Sequence, residues 1–179
     1  MKTWTDLSRT YRLELFDMVM RVKKGHIPSS YSCLEILIAL FHGSYFRSNS
    51  KEPKHPDRDR LFISKGHAAM AAYPLLAEFG YFDREELKSF TDPEALLRLY
   101  ADPSIPGIEA YTGSLGHGLG LAQGHALSLK RNNSKARVFC LVGDGECYEG
   151  SVWETAMFSA HHKLGNLVTI VDRNQLCIL

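Results

Sequence analysis

An α/β fold, doubly wound around a mostly parallel sheet flanked by helices, is predicted by three features of this sequence. Short apolar runs at Arg60–Ser64, 137–142 and 167–172 have strand length and alternate with stretches of helical period. The turns that follow the strands are rich in glycine and polar side chains, as they are where a parallel sheet opens toward a ligand. With 179 residues, 45% apolar and 23% charged, the chain has enough material for one buried core and reads as a single domain over 1–179.

The elements follow in order. Leu7, Tyr11, Leu15, Met18 and Val22 recur at steps of three or four, which predicts an amphipathic helix over residues 5–24, stopped by Gly25. Gly25-His-Ile-Pro-Ser-Ser30 reads as a turn, and Ser32 with Glu35 as a capping box for a second helix, Cys33 to His42. Residues 47–60 are polar and carry two prolines, a surface loop. The strand Arg60–Ser64 runs into Lys65-Gly66-His67, the Ala-rich stretch to Phe79 into a helix, and Asp83 to Phe90 into a short capped helix. Residues 91–112, with three prolines and no clean period, form a long irregular loop of the kind that is more often functional than idle. Thr112 to Gly120 opens a third ligand-facing turn before a helix to Lys130. Strand 137–142, helix 151–164 and strand 167–172 close the series. Trp153, Met157, Ala160 and Leu164 are expected to mark the buried side of that helix, and Gly165 to take its left-handed cap. A doubly wound domain ending at Leu179 would lack strands, so a chain truncated at its C-terminal end is expected.

Composition excludes several classes. Lys+Arg 21 against Asp+Glu 20 gives no electrostatic case for nucleic acid or an anionic membrane. The longest wholly apolar run, Ile36 to Phe41, is six residues, against the roughly 20 that a membrane span needs. The first residues, Met-Lys-Thr-Trp-Thr-Asp-Leu, hold no signal-peptide core. Cys33, Cys140, Cys147 and Cys177 show no metal spacing and read as reduced thiols of a cytoplasmic protein.

The segment from Val138 to Gly150 followed by Leu167 to Asn174 carries the chemistry. Asp144 sits in a glycine turn after one strand and Asn174 just after the next, at neighbouring ends of a parallel sheet. Gly143-x-Gly145 also resembles a dinucleotide fingerprint, with Asp172 placed to hold a ribose. A carboxylate inside that turn would repel a pyrophosphate, at a cost of several kcal/mol at about 4 Å and intermediate dielectric. A divalent cation between them reverses the sign. Asp144 and Asn174, with the Leu176 carbonyl, therefore form a candidate Mg²⁺ site, completed by diphosphate oxygens and water. A lone Asn after a strand otherwise caps a turn; its pairing with Asp144 across one βαβ unit favours the ligand reading.

Gly-Asp-Gly with Asn174 thirty residues after Asp144 resembles the thiamine-diphosphate-binding motif, and further blocks resemble the transketolase family. These are Gly25-His26 with its Ser-rich turn, the run Pro56-Asp-Arg-Asp-Arg-Leu-Phe-Ile-Ser-Lys-Gly-His67, the run Pro106-Gly-Ile-Glu-Ala-Tyr-Thr-Gly-Ser-Leu-Gly116, and Glu149-Gly150 with Lys163-Leu-Gly-Asn-Leu167. They cover about residues 20–179, in order.

The resemblance implies the diphosphate-binding domain of a thiamine-diphosphate fold and a chain that transfers a two-carbon ketol unit from a ketose to an aldose. It implies thiamine diphosphate and Mg²⁺ as cofactors, with Asp144, Asn174 and the Leu176 carbonyl on the metal. His67, Gly113, Ser114, Leu115, Gly145 and Asn174 would contact the cofactor. His26, His67 and Glu149 are the implied catalytic residues, His26 facing the sugar and Glu149 lying in a carboxylate network at the interface between subunits. A partner chain with the pyrimidine-binding domain would complete the site in a hetero-oligomer, expected to be a heterotetramer. Two positions depart from the family. His117 stands where it has glutamine, and Tyr100-Ala-Asp-Pro103 replaces a His-Pro pair. The alternatives are other thiamine-diphosphate reactions, namely 1-deoxyxylulose-phosphate synthesis or 2-oxo acid decarboxylation, and a non-catalytic cofactor-binding role.

Overall fold

The computed structural model describes residues 3–177; the outermost two positions at each end of the expected 1–179 domain lie outside them. Helix α1 spans Trp4–Val22 and opens on a reciprocal pair: the Thr3 hydroxyl accepts from the Asp6 amide, and the Asp6 carboxylate accepts from the Thr3 amide. Lys23, with φ 53°, ends it in the left-handed region, ahead of Gly25. Helix α2 runs Ile27–His42, six residues longer at its start than the sequence reading. Pro28 lies in its first turn, where proline's fixed φ and missing N–H cost nothing. The expected Ser32–Glu35 capping box is therefore absent. Ser32 lies inside the helix and Glu35 pairs with Arg12 at 2.6 Å instead.

Strands β1 (Arg60–Ile63), β2 (Val138–Gly143) and β3 (Leu167–Asp172) form a parallel sheet in that order. Arg60 stands opposite Val138, and Val138 opposite Leu167. Buried Asp59 fixes the lower edge by taking both the Arg47 guanidinium (2.8 Å) and the Arg137 guanidinium (2.7 Å). Alternate residues of β1 and β2 feed two cores. Leu61, Ile63, Phe139 and Leu141 pack with α1, α2 and the Ala-rich segment on one face. Phe62, Val138, Cys140 and Val142 pack with α4 (Gly118–Arg131) and α5 (Gly150–His161) on the other. Helices on both faces of a parallel sheet are the expected doubly wound arrangement.

Gly66–Ala72 is a 3-10 helix that continues as α3, Tyr73–Glu78, and Arg84–Ser89 is a second 3-10 turn capped by Asp83. Residues 91–112 are irregular, as expected, and the turn that starts at Thr112 ends where α4 begins, at Gly118.

Two expectations fail at the far edge. On α5 the buried side chains are Val152 and Thr155, with Leu164 beyond the helix, while Trp153 and Met157 are 60% and 67% exposed and Ala160 also faces out. Val171 of β3 is exposed on the same face, so an apolar groove of about 590 Å³ lies open along α5 and β3. A helical stripe reports apolar surface, and here no described residue covers it. Nor does Gly165 take the left-handed cap: Lys163 does, at φ 50°.

Candidate functional site

Five segments meet at the C-terminal ends of the strands: the start of α2, the turn after β1, the 112–118 turn, the turn after β2 and the turn after β3. Asp144 is the first residue past β2. Its Oδ1 accepts from the Gly145 amide at 3.1 Å and its Oδ2 from the Gln175 amide at 2.8 Å. One carboxylate thus draws the turn after β3 against the turn after β2. In that second turn the Asn174 Oδ1 accepts from the Leu176 amide at 2.8 Å, and Leu176 itself is exposed. Each of these carboxylate and amide oxygens keeps a second lone pair. A carboxylate, an amide oxygen and a nearby carbonyl are the donor chemistry of a hard cation. Among the described residues no group of three or more His, Cys, Asp or Glu could hold a metal. A cation here would therefore depend on oxygens brought by a ligand, which fits a diphosphate. The surrounding hollow of about 370 Å³ is lined by Asp144, Gly145, Tyr148, Trp153, Leu176 and Cys177.

Behind this turn lies a buried charge network that sequence reasoning missed. Lys65, 2% exposed, places Nζ on the Asp172 carboxylate, 3.0 Å from the Ser29 carbonyl and 3.2 Å from the Ser32 hydroxyl. Ser32 donates to Asp172 Oδ2 at 2.6 Å, and Asn174 Nδ2 reaches the Ser32 oxygen at 3.4 Å. The start of α2, the turn after β1 and the end of β3 are joined through one ammonium. Asp172 is thereby consumed as the ion's partner, which removes the ribose role that a dinucleotide reading assigned to it. A signal was present in the sequence: a lysine between a buried strand and an apolar Ala-rich segment needs an internal anion.

Glu146 was also missed. It is 2% exposed and ties three turns at once, accepting from the Ser64 hydroxyl, the Gly116 amide (2.8 Å) and the Gly143 amide (3.1 Å). A second buried acid, Glu109 of the Pro-Gly-Ile-Glu block, takes the Arg58 guanidinium through both oxygens, so two of the sequence blocks are bound to each other.

His26 and His67 come together. His26 caps α2 and His67 lies in the first turn after β1, with ring centroids 5.6 Å apart and edge to face. Burial, then the Lys65 ammonium, then His26 hold the His67 imidazole below the ordinary histidine value. Tyr100 completes the cluster, its ring 5.9 Å from His26. Gly113 lies under that ring: a Cβ on it would be 3.4 Å from Tyr100, and its φ of 149° suits only glycine. Gly66 packs so closely on the Thr112 carbonyl group, 2.4 Å from where its own Cβ would be, that no side chain fits. That contact holds Thr112 and Gly113 against the residue that precedes His67. His117, the departure from glutamine, folds back on its own turn, Nδ1 lying 3.1 Å from the Leu115 carbonyl oxygen and 3.3 Å from the Ser114 hydroxyl. Glu149 is exposed at the start of α5, against Gly116. Gly145 faces Cys177, whose Sγ is 2.8 Å from where a Gly145 Cβ would stand.

Comparison with known proteins agrees with this geometry. Residues 4–179 match the family model for the transketolase thiamine diphosphate binding domain. One of the subunits of apulose-4-phosphate transketolase from Phocaeicola vulgatus is 39% identical over 171 residues, which are 96% of this chain and 60% of that protein. Human transketolase is 38% identical over 172 residues, 96% of this chain and 27% of its own length. The crystal structure of transketolase from Campylobacter jejuni superposes with a TM-score of 0.90 at 30% identity, over 99% of this chain and 29% of that one. The chain thus spans less than two thirds of the length of these relatives. A match that runs nearly end to end, on a sheet whose strand-end turns carry the motif, shows that the chain belongs to the transketolase family, as its thiamine diphosphate binding domain.

Proposed function

We propose that this chain is the diphosphate-binding part of a transketolase-type enzyme, moving a two-carbon ketol unit between a ketose donor and an aldose acceptor. The observation that carries this reading is the Asp144 carboxylate bonded to the turn that holds Asn174, with the His26–His67 pair at the same ends of the strands. Asp144, Asn174 and the Leu176 carbonyl would hold Mg²⁺. Gly145, Asn174, His67 and the Gly113-Ser114-Leu115 turn would contact thiamine diphosphate. When bound, that cofactor supplies the electron sink for breaking a carbon–carbon bond next to a carbonyl.

The chain's own groups do the rest. His67, held neutral at physiological pH, can accept a hydrogen bond from a substrate hydroxyl or take its proton, and His26 beside it can do the same. Lys65 holds α2 and the end of β3 together, so that His26 and Asn174 keep their spacing. Glu149, exposed at the start of α5, is assigned to the contact with a partner chain. Two relatives, from Phocaeicola vulgatus and Actinobacillus succinogenes, are named as single subunits of apulose-4-phosphate transketolase. Those names support a second chain; we assign to it the pyrimidine-binding domain, in a hetero-oligomer of both chains. We assign the protein to the cytoplasm, where thiols such as the buried Cys33 and Cys140 stay reduced. Among the described residues no helix is long and apolar enough to cross a membrane.

The test is co-production with that partner. Ketol transfer between sugar phosphates should appear only in the mixture and need both cofactors. Asp144→Asn should weaken Mg²⁺-dependent cofactor binding by tenfold or more (about 1.4 kcal/mol) while the fold persists, since Asp144 is outside both cores. Unchanged affinity in that variant would remove the metal assignment.

A further inference from the structure

The turn from Ser114 to His117 has its carbonyls occupied and several of its donors free. The Ser114 carbonyl accepts from the His117 amide at 3.4 Å, the Gly116 carbonyl from the Ser151 hydroxyl at 2.9 Å, and the His117 carbonyl from the Leu121 amide at 3.2 Å. The Leu115 carbonyl has one partner within the described residues, the His117 Nδ1 at 3.1 Å. The Gly116 amide is spent on Glu146, whereas the Ser114 and Leu115 amides have no acceptor among the described residues. The backbone on both sides of His117 is fixed by contact: a Cβ on Gly116 would collide with Ser151, and one on Gly118 would stand 2.5 Å from the Ser64 oxygen. The exposed imidazole between them lies back over the turn.

A carbonyl oxygen can only accept, so the approach of Nδ1 to Leu115 assigns the ring proton to that nitrogen. With the proton on Nε2 instead, two lone pairs would face each other across the 3.1 Å. The Ser114 oxygen, 3.3 Å from the same nitrogen, then shares that proton as a second acceptor, and the hydroxyl's own proton is left to point elsewhere. We propose that His117 is a positioning residue for the cofactor turn: its Nδ1–H engages the Leu115 carbonyl and the Ser114 oxygen, so that two backbone amides and one hydroxyl proton are what the turn offers a ligand. Such a set of donors suits a molecule rich in acceptors, as a diphosphate ester with ring nitrogens is. The proposal rests on the functional reading given above, in which this turn contacts thiamine diphosphate. It belongs to this chain's own histidine, because the glutamine of the family carries its amide nitrogen one bond farther from the backbone.

The experiment uses the complete enzyme with its partner chain. Thiamine diphosphate is titrated calorimetrically, with Mg²⁺ and without sugar, into the unaltered protein, His117→Phe and His117→Asn. Phenylalanine keeps a ring without a donor, whereas asparagine places an N–H the same number of bonds from the backbone as Nδ1. His117→Phe should raise the cofactor Kd by about three- to tenfold, and His117→Asn should stay within about twofold, a rescue that a merely space-filling ring would not give. Nitrogen-15 resonances of the His117 ring, assigned by their loss in the asparagine variant, should place the neutral ring's proton on Nδ1. Unchanged affinity in His117→Phe would overturn the proposal, and so would equal weakening in both variants or a ring proton on Nε2. If the unaltered complex binds no thiamine diphosphate, the underlying functional reading falls, and this assignment with it.

Discussion

Removing the Lys65 ammonium is the most demanding perturbation of this fold. Its side chain is 2% exposed and that of its partner Asp172 5% exposed, so Lys65→Met leaves a carboxylate in the interior without its counter-ion. Breaking one side of a buried pair typically costs about 3–5 kcal/mol. Asp172 keeps the Ser32 hydroxyl at 2.6 Å, and hydrogen bonds to charged groups retain part of that energy, so a loss of about 3 kcal/mol is expected. For a domain of this size that corresponds to a fall in Tm of about 6–12 °C. The double variant Lys65→Met/Asp172→Leu removes both charges and should lose much less, about 1 kcal/mol, because an apolar pair of similar volume avoids desolvation. Equilibrium urea unfolding of the two single variants and the double variant gives the coupling directly. Two results would refute the reasoning: a single-variant loss below about 1 kcal/mol, or a double variant that loses the sum of the singles.

Other outcomes follow from the same structure. His67 is held below its unfolded value of 6.5, so between the two values the unfolded chain binds more protons than the folded one. The stability it contributes is complete above pH 6.5 and is lost as pH falls through the folded value; urea midpoints between about pH 7.5 and about pH 5 should show this, and His67→Gln should flatten the slope. A proton titration of the His67 ring with its midpoint above 6.5 would contradict it. Among the thiols, burial pushes Cys33 up to about 12 and raises Cys140 further, whereas Cys177 is exposed. Iodoacetamide at about pH 8.5 should alkylate Cys177 and spare those two, as peptide mass mapping would report. Thiamine diphosphate with Mg²⁺ should slow that reaction, because Cys177 packs on Gly145.

Much of the architecture was legible because burial imposes periods. The steps of three or four in α1 and the apolar runs of β1 and β2 name those elements, and both faces of those two strands are covered as such runs require. The strand-end turns were legible for the same reason, and Asp144 and Asn174 do share one junction. What escaped was information that lies between segments. Ser32 looked like a cap because Ser with Glu three residues on is a local signal; its partners Lys65, Asp172 and Asn174 are distant in sequence. Pro28 read as a turn former, although a helix accepts it in its first turn. Trp153 and Met157 read as core because a helical stripe carries no record of whether anything lies on it. The sequence marks Tyr100 only as part of a departure from the family; the His26 ring that the fold sets beside it is distant in sequence.

The Glu146 carboxylate has one more implication, for engineering. Segments around residues 64, 116 and 143 share a single anchor, so none of them is an independent module. Transplanting the 112–118 loop into another scaffold would carry over its glycines but leave the Gly116 amide without its acceptor, and the grafted loop would settle at a different height. The portable unit is the loop together with its acid, and the recipient must supply the other two donors.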